Sequence, residues 1–144
     1  MAKVVSINIS DKKGVIKTPI KEGLFLEHFG LEGDAHGGDW HRQVSLLAQE
    51  SIDRMKKDLP HLKEGDFAEN ITTQGIVLYD LKIGTILELG QVLLKVSQIG
   101  KECHQGCAIK QQVGKCVMPK EGIFATVERA GIIKAGDKIK ILES

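Results

Sequence analysis

The nine residues from Gly30 to Gly38, GLEGDAHGG, hold four glycines. A glycine costs about 1 kcal/mol relative to alanine inside a helix, and it weakens a strand as well. This stretch is therefore a string of tight turns, or a loop whose backbone comes close to a ligand. Around it the apolar runs are short and punctuated by turn residues. That pattern predicts a mainly β fold, barrel or sandwich, with one or two added helices.

Along the chain, Val5, Ile7 and Ile9 alternate loosely with polar residues in a first strand over 2–9. A turn at 11–14 and a short return strand at 15–17 complete a hairpin before Pro19. Residues 41–47 read as a strand with Arg42, Val44 and Leu46 on one face and His41, Gln43 and Ser45 on the other. The clearest helix is 48–59: Ala48, Ile52, Met55 and Leu59 follow the 3.6-residue period, and Pro60 ends it. Residues 65–71 read as a strand and 72–75 as a turn. The strongest hairpin signal pairs 85–89 with 92–98 about Gly90-Gln91, a sequence suited to a type II′ turn. Residues 123–130 fit helix or strand, with Gly131 placed to end a helix. Ile139 and Ile141 alternate with lysines in a last strand. No repeat or linker interrupts this order, so residues 1–144 are expected to form a single domain.

Twenty basic residues against nineteen acidic ones leave a net charge of +1, so no bulk field draws the chain to nucleic acid or an anionic membrane. Aromatics make up 4%, too few for the stacking platforms of single-strand binders. No apolar run approaches the ~20 residues of a membrane span, and the MAKVVSINIS start lacks the features of a secretory signal. A cytoplasmic protein is the expectation.

All three cysteines, Cys103, Cys107 and Cys116, fall between Lys95 and Gly122, in the segment that the second hairpin strand enters. A thiol acts as nucleophile or soft-metal ligand in its thiolate form, which neighbouring cations favour. Lys101 and His104 flank Cys103. Three readings stand open: a reactive Cys103, a zinc site built from the cysteines and His104, or small buried thiols. The glycine loop has two readings as well, a multiple turn or an anion-binding nest beside Arg42. His36 and His41 are either acid–base groups or solvated loop residues. Glu69, Asn70, Thr72 and Thr73 could meet a heterocycle's edge or hold a turn together.

Taken in order, the 30–38 glycine stretch, His41-Arg-Gln-Val-Ser-Leu-Leu47, Gly65-Asp-Phe-Ala-Glu-Asn-Ile-Thr-Thr73, Ile83-Gly84, Val96-Ser-Gln98, Cys103, Gly122-Ile-Phe-Ala125, Gly131 and Gly136-Asp137 resemble the MOSC domain family. That family is named for the C-terminal domain of molybdenum cofactor sulfurases. The resemblance covers about residues 2 to 142 and is that of a small stand-alone member. It implies a barrel-like fold and one reactive cysteine, which maps to Cys103, with sulfur transfer to the pterin-based molybdenum cofactor, or binding of it, as the function. Cys103, with Lys101 and His104, then forms the catalytic group, and Cys103 is the residue that would ligate molybdenum. Gly33, Asp34, His36, Gly37, Gly38, His41, Arg42, Asn70 and Thr72 are expected to surround the cofactor. Pyridoxal phosphate, which belongs to fused relatives, is not expected on this chain. The implied partners are the pterin and a cysteine desulfurase or cofactor-synthesis enzyme, with no nucleic acid or membrane. The other function class is a non-catalytic metal or cofactor chaperone, or an interaction module, using the three cysteines. Gly-Lys-Glu-Cys-His around Cys103 departs from the Arg–acidic–Pro run that many relatives carry there, and Cys107 and Cys116 are additional to the family pattern.

Overall fold

Val44 to Ala48 is apolar at four of five positions, and all five residues are buried. A strand covered on both faces belongs at the centre of a sheet. The computed structural model describes residues 2–12, 15–57, 59–100 and 121–143. In it this strand, β5 (Val44–Ala48), lies between β9 (Ile123–Arg129), antiparallel, and β6 (Ile71–Gln74), parallel. Beyond β9 the sheet continues through β8 (Val92–Ile99) and β7 (Ile86–Leu89) to β11 (Ile139–Glu143). Beyond β6 it continues through β1 (Lys3–Ile9) to β2 (Thr18–Ile20), making eight strands in all. A second, three-stranded sheet has the order β10 (Gly131–Lys134), β3 (Glu22–Leu26), β4 (Gly30–Leu31).

Val44 and Leu46 of β5 and Ile123 and Ala125 of β9 face the main core, with Val4, Ile7, Phe25, Leu87 and Leu94. Leu47 and Phe124 point the other way, into a smaller core with Ile52, Leu62 and Phe67. The helix α1 (Gln49–Met55) supplies Ile52 to this second core and so covers the far side of β5.

The fold is mainly β with one α-helix among the described residues, and the strands do not close into a barrel, which corrects the barrel-like expectation. The reason lies at the outer edge of β1. Its second half pairs with β2, whereas its first half meets residues 136–139 through three bonds: Val4 N–H to Asp137 O, Gly136 N–H to Val4 O, and Ile139 N–H to Ala2 O. Neither partner has the whole edge, so no continuous ladder runs from β11 to β1.

The local expectations fare unevenly. The 85–98 hairpin is present, with Gly90 at φ +58° and Gln91 at negative φ, as a type II′ turn requires. The first hairpin pairs Ile7–Ile9 with 18–20 rather than with 15–17. The helix is shorter than expected: Ala48 stays extended because it pairs with Thr73, although Ile52 is fully buried and Met55 and Leu59 pack partly against the same cluster. Residues 65–71 and 72–75 exchange roles. Gly65, at φ +91° with its Cα against the Lys17 carbonyl, opens a turn, and the strand begins at Ile71. Residues 123–130 are resolved in favour of strand. Ile141 is half exposed and does not share the burial of Ile139.

Candidate functional site

The glycine loop is anchored from beneath by charge. Lys17 Nζ, fully buried, donates to Asp34 Oδ1 at 2.7 Å and to Ser10 Oγ at 3.1 Å. Asp34 also accepts the Ser10 N–H and the His36 N–H, each at 3.1 Å. Burial alone would raise the Asp34 carboxyl, but the hydrogen bond and charge of Lys17, helped by Asn70 and the Ser10 amide, hold it below the ordinary carboxylate value. His36 Nδ1 lies 3.1 Å from Lys17 Nζ. A lysine ammonium can only donate, so this nitrogen accepts and the proton of the neutral ring sits on Nε2.

The loop's own amides are turned inward. Asp34 N–H donates to Leu31 O, Ala35 N–H to Ser10 O, Gly37 N–H to Asp34 O, Gly38 N–H to Phe29 O, and Trp40 N–H to Gly38 O. An anion nest needs successive amides aimed at one outside point. Here those of Gly37 and Gly38 serve the turn itself.

A second polar layer continues under the loop. Asn8 Nδ2 donates to Glu69 O and Thr72 Oγ1, each at 3.0 Å. Asn70 Oδ1 accepts Ser45 N–H at 3.0 Å, and Thr72 Oγ1 donates to Glu69 Oε2 at 2.7 Å. Asn70, Thr72 and Glu69 are fully buried. Burial pushes the Glu69 carboxyl up to about 7, against the lowering effect of the Gly65 N–H and the Thr72 hydroxyl.

The open corner lies just past the loop, where the chain turns into β5. His41 and Arg42 precede the strand, so Arg42 leaves the Val44–Leu46 face expected for it, and its guanidinium lies 5.2 Å over the Phe124 ring. Gln98 near the end of β8 organises both residues. Its Oε1 accepts from His41 Nε2 at 2.8 Å and from Arg42 Nε at 3.0 Å, and its Nε2 donates to Gly100 O at 2.7 Å. Ser97 Oγ donates to the His41 carbonyl from the same strand. Arg42 is half-buried, and among the described residues no hydrogen bond or ion pair engages its two terminal nitrogens.

This corner stands where the cysteine-bearing segment leaves and re-enters the sheet. Ile99 pairs with Ile123, and Gly100 N–H donates to Gly122 O at 2.7 Å. Glu121 is tied to α1 by Ser51 Oγ at 2.6 Å and by Arg54. Cys103, Lys101 and His104, together with Cys107 and Cys116, lie outside the described residues.

Of the residues expected around a cofactor, the structure brings His41 and Arg42 together at an open corner. It places Asp34, Asn70 and Thr72 in the interior, with Gly37 and Gly38 in a self-bonded turn. Reading the sequence missed Lys17, Gln98 and Phe124. Gln98 carried a signal, a polar residue on the otherwise apolar face of Val92, Leu94 and Val96. Lys17 carried none.

The family model described as the MOSC domain matches residues 32–140, and the chain belongs to that family, which is linked to molybdenum cofactor sulfurase. Among solved structures it is similar to the YUAD protein from Bacillus subtilis, at 20% identity and a TM-score of 0.79 over 98% of this chain and 96% of that one. It is also similar to YiiM from Geobacillus stearothermophilus, at 22% identity and a TM-score of 0.75 over 99% of this chain and 76% of that one. YiiM from Escherichia coli aligns at 20% identity and a TM-score of 0.73 over 100% and 71%. At these identities the likeness concerns the fold. No match is found among curated proteins. No helix among the described residues is long and apolar enough to cross a membrane.

Proposed function

We propose that this chain works on the pterin-based molybdenum cofactor, carrying sulfur to it or binding it, with Cys103 as the working thiol and Arg42 as the contact to its phosphate. The observation that carries the reading is the Arg42–Gln98 corner. A guanidinium held by one nitrogen, with its other two open, suits bidentate capture of a phosphate. The residues present therefore fit an anionic cofactor through Arg42 and His41. The glycine loop and Asn70 and Thr72 support them from behind, fixing where the chain enters β5. Gly33, Asp34, His36, Gly37 and Gly38 act in the same supporting way.

Cys103 follows Gly100 by three residues, a reach of at most ~11 Å of extended chain. An ordinary thiol with a pKa of ~8.5 is about 3% ionised at pH 7. In this reading Lys101, the Arg42 charge and His104 when protonated favour the thiolate, the form that takes up sulfur or ligates a metal. Bound here, the cofactor would supply a molybdenum centre that accepts thiolate ligands. The sulfur donor in this reading is a cysteine desulfurase or another cofactor-synthesis enzyme.

The test has two arms. Protein expressed in a molybdenum-replete host should co-purify with a pterin, and Arg42→Ala should lower pterin affinity about 10- to 100-fold, the loss of a hydrogen bond to a charged group. Iodoacetamide labelling followed against pH by mass spectrometry should find Cys103 reacting well below the pH of a model thiol and ahead of Cys107 and Cys116. If Cys103 titrates like a free thiol, or if Arg42→Ala leaves affinity unchanged, the proposal fails.

A further inference from the structure

On the other side of His41 from Gln98 the surface has the opposite character. An open cleft of about 480 Å³ runs between Glu27 and His28, Asp39 to His41 with Gln43, and Thr126, Val127 and Glu128 of β9. We propose that this cleft is a binding site for a small organic cation, a guanidinium or ammonium compound that also carries a carbonyl acceptor. The inference stands independently of the sulfur reading.

Three carboxylates, Glu27, Asp39 and Glu128, line the cleft, and among the described residues no lysine or arginine does. His28 Nδ1 approaches Asp39 at 3.8 Å with both side chains largely exposed, so it screens that charge weakly. A cleft of this sign attracts cations and repels phosphates. Carboxylates alone would mean little, but Gln43 adds a second and unrelated feature. It is 3% exposed, and its Oε1 accepts the Val127 N–H at 3.0 Å, standing in for a ladder bond just before β5 begins. That bond fixes which end of the amide faces which way. Nε2 is left with no partner among the described residues, on a side chain that lines the cleft. Nε2 is not among the buried side-chain atoms left without a partner, so it meets the solvent of the cleft, and a ligand carbonyl there can take the place of water as its acceptor.

Trp40 supplies the third element. Its indole N–H donates to His36 O at 2.9 Å, and the ring meets His41 edge-on at a centroid distance of 5.9 Å, so its orientation is set. A fixed, part-exposed indole in a carboxylate-lined cleft suits a guanidinium or ammonium group. A bare metal ion suits it less well. No group of three or more His, Cys, Asp or Glu among the described residues is arranged to hold one, and the Gln43 nitrogen is a donor.

The test titrates the full chain with three probes at low salt, following backbone amide NMR shifts. The probes are γ-guanidinobutyramide (cation plus carbonyl), butylguanidine (cation alone) and pentanamide (carbonyl alone). The expected order is γ-guanidinobutyramide, then butylguanidine, with pentanamide weakest, and the shifts should centre on residues 39–43 and 126–128. Glu27→Gln and Glu128→Gln, both at exposed positions, should each weaken the two cations about threefold and leave pentanamide alone. Gln43→Glu keeps an acceptor for Val127 N–H and removes the donor, so γ-guanidinobutyramide should lose its advantage over butylguanidine. Pentanamide binding as tightly as the cations would overturn the proposal, and so would shifts centred elsewhere. If Gln43→Glu does not fold, the two glutamine variants decide alone: unchanged cation affinity in both rejects the site.

Discussion

The loop at 30–38 and the corner at His41–Arg42 are neighbours in sequence, and both are rich in groups that bind anions. They use those groups in opposite ways. In the loop, Asp34 pairs with a fully buried Lys17, and the amides of Gly37 and Gly38 close on Asp34 O and Phe29 O. At the corner, Arg42 commits Nε to Gln98 and leaves its remaining nitrogens open. Burial makes the difference. An interior charge must be matched within the protein, because leaving one partner unpaired there costs several kcal/mol, whereas water or a ligand can complete a half-buried one. The loop is thus the mould and the corner the part that it presents.

The sharpest way to break this contrast is to remove one side of the buried pair. Lys17→Met strands the Asp34 carboxylate, and Asp34→Ala strands the ammonium. Either should cost about 3–5 kcal/mol of unfolding free energy in urea. Lys17→Met combined with Asp34→Leu should recover part of that loss, because no lone charge is then left inside. Single variants as stable as the parent would show that the loop does not depend on the pair.

Glu69 sharpens the same comparison through pH. Its carboxyl is raised from 4.5 to about 7 in the folded protein, so the native state keeps a proton that the unfolded chain releases. The stabilisation that this proton confers is fully present below 4.5 and is lost as pH rises through about 7. Complete loss amounts to roughly 3 kcal/mol. Asp34 works in the opposite sense: its carboxyl is held low, so its contribution is present above the ordinary value and lost as pH falls below it. Urea midpoints taken between about pH 5 and about pH 8 should therefore decline, and Glu69→Gln should flatten the slope. A parent whose midpoint is constant over that interval would place the Glu69 proton elsewhere.

What could be read in advance was whatever is decided locally. The Gly90-Gln91 hairpin follows from two residues and their φ angles, and the period of Ile52, Met55 and Leu59 located the helix face. The errors arose where a distant partner decides. Ala48 reads as helix, yet Thr73 draws it into the parallel pair. Residues 65–71 read as a short strand, but the Lys17 carbonyl against Gly65 and the buried bonds of Glu69 and Asn70 make them a turn. The site divides in the same manner. Arg42 stands out as a cation beside a glycine loop, whereas Asn70 and Thr72 look equally suited to a ligand or a turn until their bonds to Ser45 and Glu69 are seen. Lys17 could not be foreseen, because its partner Asp34 lies seventeen residues on.

The smallest expected effect belongs to the corner itself. Arg42→Ala removes one hydrogen bond to Gln98 and the stacking over Phe124, both in a half-buried setting that water can enter. The loss of stability should be about 1 kcal/mol, well below that of either Lys17→Met or Asp34→Ala. Arg42→Lys tests why an arginine stands there. A lysine keeps the charge, but it cannot hold Gln98 with one nitrogen while offering a fork with two others. Stability should then change by only a few tenths of a kcal/mol, within the range of ordinary surface replacements. Pterin affinity should fall nearly as far as in Arg42→Ala. If lysine restores affinity fully, charge alone is enough and the fork geometry has no role. If Arg42→Ala destabilises as much as Lys17→Met, the corner is as structural as the loop behind it, and the division of labour drawn from burial is wrong.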